Sequence, residues 1–258
     1  MNAPEIIFGV IGTVFVYMNL LFLLAVALKK NDIVDIAWGL GFILIAIVSF
    51  ILQPINAPRM LLQSALVLIW GVRLALYIFI RNRGKSEDFR YAKWRRDWGR
   101  YWILRSYIQV FLLQGFFMLT IAYPLFSFDP ALSPGLNWLD YLGLLIWLTG
   151  FFFEAVGDQQ MRSFKQNPAN KGKIMNQGLW RYTRHPNYFG ESTMWWGLFF
   201  IALSNPHGWL AVFSPTIITF LLVRVSGVPL LEKKYADNPE YREYIRQTSS
   251  FIPRAPKT

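Results

Sequence analysis

The chain has no cysteine and only two histidines. The first absence excludes a disulfide framework, an iron–sulfur cluster and a thiolate nucleophile, and leaves the compartment open. Charge is scarce too: Asp, Glu, Lys and Arg together make 16% of 258 residues. So little charge leaves no room for a separate soluble domain. No Gly-x-Gly-x-x-Gly fingerprint occurs, so a dinucleotide would not be held by a Rossmann unit. No basic stretch precedes the first apolar segment, and we expect no cleavable signal peptide. We also expect no bound metal.

What the sequence does have is apolar length. Hydrophobic residues make 54% and aromatic residues 17% of the chain, in runs near twenty residues. At 1.5 Å per helical residue, each run can cross the hydrocarbon. The expected fold is therefore all-α: a single polytopic membrane domain over 1–258 with seven transmembrane helices, at roughly 5–28, 33–52, 60–80, 106–127, 137–157, 189–204 and 208–228. With the N-terminus outside and the C-terminus cytoplasmic, the inner segments 29–32, 81–105, 158–188 and 224–258 hold 24 of the 26 Lys and Arg. That asymmetry is the positive-inside rule, and it explains the net charge of +11 better than a nucleic-acid partner does. We expect no nucleic-acid partner, and a monomer among membrane lipids.

The polar residues inside the spans are few. Asn19 in the first span reads as a helix–helix hydrogen bond. Asp32 is placed to cap the second span. Asp35 falls a turn further in and shares a face with Trp38, while Gly39 and Gly41 thin the helix for a neighbour or a ligand. Arg73 lies within span three, where a charge is costly and marks a functional candidate, with Tyr77 one turn later on the same face. The mixture of cationic and aromatic residues over 81–105 reads as an interfacial belt, and the outer loop at Asp129–Pro134 as a turn. Glu154, Asp158, Arg162 and Lys165 form one stripe if span five runs on as helix until Asn167-Pro168. Glu154 should then face the protein interior.

The densest polar stretch is Gly178-Leu-Trp-Arg-Tyr-Thr-Arg-His-Pro-Asn-Tyr-Phe-Gly-Glu191. Arg184-His185-Pro186 reads as a bend, because proline drives the preceding residue out of the helical region. A helix starting near Asn187 would leave unpaired N–H groups beside Arg184 and His185, which suits an anion. Tyr188 and Glu191 follow, and Arg224 lies near the end of span seven. Asp35, Arg73, Glu154, Asp158, Arg184, His185, Asn187, Glu191 and Arg224 all fall in the cytoplasmic half or just beyond. That pattern describes an anion-friendly chamber under an apolar interior, suited to a phosphate-bearing cofactor meeting a lipid-like substrate.

On Gly178-Leu179-Trp180, the run Arg184-His185-Pro186-Asn187-Tyr188-Phe189-Gly190-Glu191, Asp158 and Arg224, the last hundred residues or so resemble the steroid 5-alpha-reductase family, in particular its bacterial members. The resemblance implies a seven-helix enzyme of the bacterial inner membrane, its active site facing the cytoplasm, that takes hydride from NADPH and reduces the carbon–carbon double bond of a 3-oxo-Δ4 steroid or similar lipid enone. Residues 1–130 would supply the substrate-side helices and 137–258 the cofactor side. By similarity Asp158, Arg162, Lys165, Asn187, Tyr188, Glu191 and Arg224 line the cofactor site. Glu154 joins them from the chamber, and Arg184 with His185 fits a phosphate. Better-known members hold the ketone with a glutamate and a tyrosine. Span two here has no glutamate and Trp70 falls near the tyrosine position, so Asp35 with Tyr77, or Asp35 with Arg73, is the expected catalytic substitute, and Asp35, Trp38 and Trp70 the expected substrate contacts. Isoprenylcysteine carboxyl methyltransferases, which use S-adenosylmethionine, share the His-Pro-x-Tyr-x-Gly part and are the alternative. A non-enzymatic sterol or lipid binder is the third reading.

Overall fold

A computed structural model describes residues 3–53, 57–127, 135–235 and 237–257. The expected turn at Asp129–Pro134 lies outside the described residues. Among those described, the secondary structure is helical, apart from one isolated bridge between Thr183 and Ser249. Six helices are long and apolar enough to cross a membrane: Pro4–Leu28, Ile33–Leu52, Pro58–Asn82, Phe89–Ile121, Trp138–Gln166 and Gly208–Lys233. The chain is thus built as a polytopic membrane protein. The segment expected as a further span is the helix Pro186–Ala202, whose 17 residues reach only about 25 Å. It is largely buried, including Glu191, Trp195 and Ile201. The chain divides into two compact units, Met1–Leu136 with Ser204–Gly208, and Asn137–Leu203 with Trp209–Thr258.

The first unit holds α1 (Ala3–Leu28), α2 (Ile33–Leu52), α3 (Pro58–Asn82), α4 (Phe89–Trp98), α5 (Trp102–Arg105), α6 (Leu113–Ile121) and α7 (Tyr123–Phe126), with a π-helical turn over Ser106–Leu112. Helices α2 and α3 meet at glycines. A Cβ on Gly39 would lie 2.6 Å from the Gly71 carbonyl oxygen, and one on Gly41 would strike Met118. The glycines of α2 therefore admit neighbouring protein rather than a ligand. Beside this crossing Trp38, Phe42 and Trp70 form an edge-to-face ladder with centroid spacings of 5.1 and 5.4 Å. Asn19 accepts from the Tyr107 hydroxyl at 3.1 Å, the interhelical bond its isolation suggested. Arg59 is fully buried and donates to Asn205 Oδ1 and the Gly135 carbonyl, which ties segment 204–208 to this unit.

Within the cationic–aromatic stretch expected as a belt, Arg90 and Tyr91 turn inward while Lys93, Trp94, Arg96, Arg100 and Tyr101 stay exposed. From Phe89 the stretch is a helical run that bends at Gly99 (φ +50°) and then continues into the apolar segment. Asp88 caps α4 by accepting from Arg90 N, and Arg90 and Tyr91 turn inward to α2. Asp32 likewise departs from expectation. It stands at the N-cap position of α2 but makes no side-chain capping hydrogen bond, and accepts the Asp88 N–H at 3.0 Å instead.

The second unit is organised by a hairpin of α8 (Trp138–Gln166) and α9 (Pro186–Ala202). Asn137 and Asp140 close a capping box at the start of α8. Gly143 packs on Gly197 and Gly150 on Gly190, a spacing of seven on both helices that brings backbone against backbone, and Gly157 packs on the Pro186 ring. The helix runs on to Gln166 and stops before Pro168, as expected, so Glu154, Asp158, Arg162 and Lys165 do share one helix. Then follow α10 (Phe213–Phe220), a π-helical turn over Leu221–Val225, α11 (Val228–Lys234) and α12 (Pro239–Gln247). Pro229 sits in the first turn of α11, after the break at Gly227.

Candidate functional site

The fourteen-residue stretch folds as expected at its turn. His185 is out of the helical region (φ −140°, ψ 62°), Pro186 takes the first helical turn and α9 begins there. The Gly178-Leu-Trp segment proves architectural. Gly178 has φ +59°, a conformation glycine adopts without strain, and Leu179 N then donates to Gln160 on α8 at 3.0 Å. The Trp180 indole donates to the Gly157 carbonyl at 3.0 Å, which pins the loop to α8.

Across the hairpin the polar groups meet. Asn187 Nδ2 donates to Asp158 Oδ1 at 3.2 Å. Glu154, Asp158 and Glu191 are each at most 9% exposed, and Glu154 packs against Gly190, so its carboxylate faces the protein interior as expected. Arg162, Lys165 and Arg224 are exposed on the same unit, Arg224 within the π-helical turn. Tyr188 stacks on the His185 ring at 5.4 Å with 10° between the planes.

Arg184 is used differently from the expectation of a free phosphate ligand. Its Nε and Nη2 both donate to Glu232 Oε1, at 2.9 and 2.6 Å, and Nη1 donates to the Ile245 and Thr248 carbonyls. Arg184 N donates to Ser249 O, Thr183 Oγ1 to Phe251 O, and Arg254 N to Tyr182 O. The tail beyond α12 is thereby strapped across the site loop, with the Tyr244 hydroxyl donating to Trp180 O beneath it. The same Glu232 oxygen lies 3.4 Å from His185 Nε2. Burial pushes the His185 imidazole below its ordinary 6.5, against the raising effect of Glu232, and leaves it neutral at pH 7. Glu232 and Thr248 are thus parts of the site that the sequence left outside it. Among them Glu232 alone carried a signal, as a lone acid among apolar residues past Arg224.

In the first unit Asp35 takes partners the sequence did not offer. Tyr91 donates to its Oδ1 at 2.6 Å and Arg90 to its Oδ2 at 2.9 Å. Arg73 lies over the Tyr77 ring at 5.5 Å, as their shared face implied, and Arg81 approaches the same ring at 5.8 Å. Trp38 and Trp70 belong to the aromatic ladder, and Trp70 is buried in the core. Around Asp35 the network extends through Asp88, which accepts from Arg90, to Glu87, which accepts from Asn31 N and Arg95, and Asn31 donates to Ser106. Burial alone would raise Asp88, but the Arg90 hydrogen bonds and charge hold it below the usual carboxylate range. Among the described residues no cluster of metal-ligating side chains occurs.

Residues 21–248 match the family described as a protein of unknown function, DUF1295, and the chain belongs to that family. An uncharacterized protein of Schizosaccharomyces pombe is 25% identical over 93% of this chain and 77% of its own length. A probable O-methyltransferase, UstE, of Ustilaginoidea virens is 44% identical over 46 residues, 18% of this chain and 16% of its own. No solved structure matches.

Proposed function

We propose that the protein is an NADPH-dependent reductase of a carbon–carbon double bond conjugated to a ketone, in a steroid or similar lipid, within the steroid 5-alpha-reductase group that its sequence resembles. The observation that carries this reading is the buried acid–amide core of the α8–α9 hairpin, where Asn187 donates to Asp158 beside Glu154 and Glu191. Asp158, Asn187 and Glu191 are positions through which the resemblance assigns the cofactor. Exposed Arg162, Lys165 and Arg224 supply cationic groups for phosphates. No ligand is needed to hold the core together, since Arg184 and Glu232 already fix the loop that leads into α9, from whose first turn Asn187 and Tyr188 project.

On the substrate side, reduction of an enone needs a hydrogen-bond donor for the oxygen on which negative charge develops, and a proton for the α-carbon. Asp35 remains our candidate, and its partner becomes Tyr91, whose hydroxyl is already hydrogen-bonded to it. Arg73 and Tyr77 stay as the second donor group. In this reading the protein is a bacterial inner-membrane enzyme with α9 counted as a seventh span, the N-terminus outside and the cofactor residues facing the cytoplasm.

The testing experiment is spectrophotometric. The purified protein in detergent is given NADPH and progesterone, and the nicotinamide absorbance is followed while the product is weighed by mass spectrometry. Steroid-dependent oxidation with a product two hydrogens heavier supports the proposal. NADPH binding without turnover points to a different enone. The second reading is a membrane methyltransferase, favoured by the 46-residue likeness to the probable O-methyltransferase. Binding of S-adenosylmethionine with no binding of NADPH would decide for it.

A further inference from the structure

The α9 entrance carries two acceptor atoms that the fold leaves without partners. His185 is 2% exposed, and its Nε2 faces the Glu232 carboxylate, itself held by Arg184. A carboxylate only accepts, so the ring proton belongs on Nε2 and Nδ1 carries the lone pair. That Nδ1 is buried and has no hydrogen-bond partner. Stacking on Tyr188 fixes the plane in which the lone pair lies. Asn187 repeats the arrangement two residues on. Its Nδ2 is spent on Asp158, so its Oδ1 is an acceptor, again buried and without a partner. The low basicity that burial gives His185 agrees with this neutral tautomer.

Two buried acceptors disfavour an anion at this point, because phosphate oxygens would bring further lone pairs against them. They call for N–H groups. Resting on the NADPH reading above, we infer that His185 Nδ1 and Asn187 Oδ1 hold an NH2 group of the cofactor, not a phosphate. NADPH has two such groups, the carboxamide of the nicotinamide and the exocyclic amine of the adenine. The phosphates fall to the exposed cations instead. This reverses the role that the sequence suggests for His185.

Two measurements test it on the full-length protein in detergent. The first titrates NADPH, its 3-acetylpyridine analogue (a methyl ketone in place of the amide) and its hypoxanthine analogue (no exocyclic amine), reading binding through tryptophan fluorescence. One analogue should bind about ten- to hundred-fold more weakly than NADPH, since it cannot satisfy buried acceptors. Which analogue it is identifies the group held. His185→Phe, which keeps the stacked ring, and Asn187→Leu should each erase most of that preference. The second needs no variant to fold. With histidine labelled in both ring nitrogens, the NMR spectrum should show His185 neutral with its proton on Nε2, and the Nδ1 resonance should move upfield when NADPH binds. Equal binding of all three dinucleotides, or a proton on Nδ1, overturns the inference while the reductase reading stands. Absence of any NADPH binding overturns both.

Discussion

Substituting the glycines of the α8–α9 hairpin gives a graded test of its packing. A Cβ at Gly190 would stand 2.5 Å from both Glu154 N and Gly150 O, and 2.8 Å from Glu154 Cβ. The first two are backbone atoms of a helix and cannot rotate away. Alanine there forces the helices apart by roughly 0.5–1 Å, against a close-packed interface. Overpacking typically costs about 1–3 kcal/mol, and two backbone clashes place Gly190→Ala at the upper end. At about 2–4 °C per kcal/mol for a chain of this size, the melting temperature should fall by roughly 6–12 °C. Gly150→Ala and Gly143→Ala meet backbone at 2.6 Å and should behave alike. Gly157→Ala meets the Pro186 ring at 3.1 Å and should cost only about 1 kcal/mol. Gly12 on α1 has nothing within 4 Å of its Cβ position, so alanine there should be neutral, or stabilising by about 0.5–1 kcal/mol through helix propensity. The assay is thermal unfolding in detergent followed by tryptophan fluorescence. If Gly12→Ala and Gly190→Ala shift the melting temperature equally, the pairing of α8 with α9 given above is wrong.

Further outcomes follow from the polar networks. Arg184→Met leaves Glu232 without its main partner and releases the Ile245 and Thr248 carbonyls. With Glu232 only 23% exposed, it should cost about 2–4 kcal/mol and open the tail to limited proteolysis well before global unfolding. A tail as resistant as in the parent would refute the strap. His185 binds its proton less readily folded than unfolded, because burial lowers it from 6.5. Its contribution to stability is therefore complete above about pH 6.5 and is lost as pH falls below that value. Melting temperatures recorded downward from pH 7 should fall less steeply in His185→Phe than in the parent. Tyr91→Phe removes the 2.6 Å bond to Asp35 and should destabilise by about 1–2 kcal/mol. If Asp35 serves the reaction, turnover should fall much further while NADPH affinity holds, and an unchanged rate would remove Tyr91 from the chemistry.

Which parts of this molecule were legible in its sequence depended on how far apart the partners lie along the chain. The bend at His185-Pro186, the start of α9 and the run of α8 to Gln166 are consequences of residues next to one another, and apolar length marked the membrane helices. The burial of Glu154 followed from a rule about depth, without its neighbours being known. Asn187 donating to Asp158 joins residues 29 apart, and here the resemblance supplied what spacing did not. Asp35 shows where such reasoning stops. Its partners Arg90 and Tyr91 lie 55 and 56 residues downstream, within a stretch so rich in cations and rings that composition described it as a surface belt.

The same contrast separates residues that recur in a motif because the fold needs them from residues that meet a ligand. Gly178 turns the chain, Trp180 anchors the loop on Gly157, and Arg184 holds Glu232 and the tail. The polar side chains of Trp180 and Arg184 are engaged within the protein. His185 and Asn187 are different in kind, since each spends one polar atom on the fold and keeps a second buried without a partner. Burying an unpaired acceptor costs about 1–3 kcal/mol, a cost a purely structural pair would avoid by substitution with an apolar residue of similar shape. Partner accounting therefore divides this stretch into scaffold and ligand-facing atoms, where composition showed only a basic loop. It makes a concrete demand on the cofactor: substitutions at Gly178 or Trp180 should lower stability and binding together, whereas His185→Phe, which loses only a 3.4 Å contact to a Glu232 still held by Arg184, should weaken NADPH binding with little change in the melting temperature of the unliganded protein at pH 7.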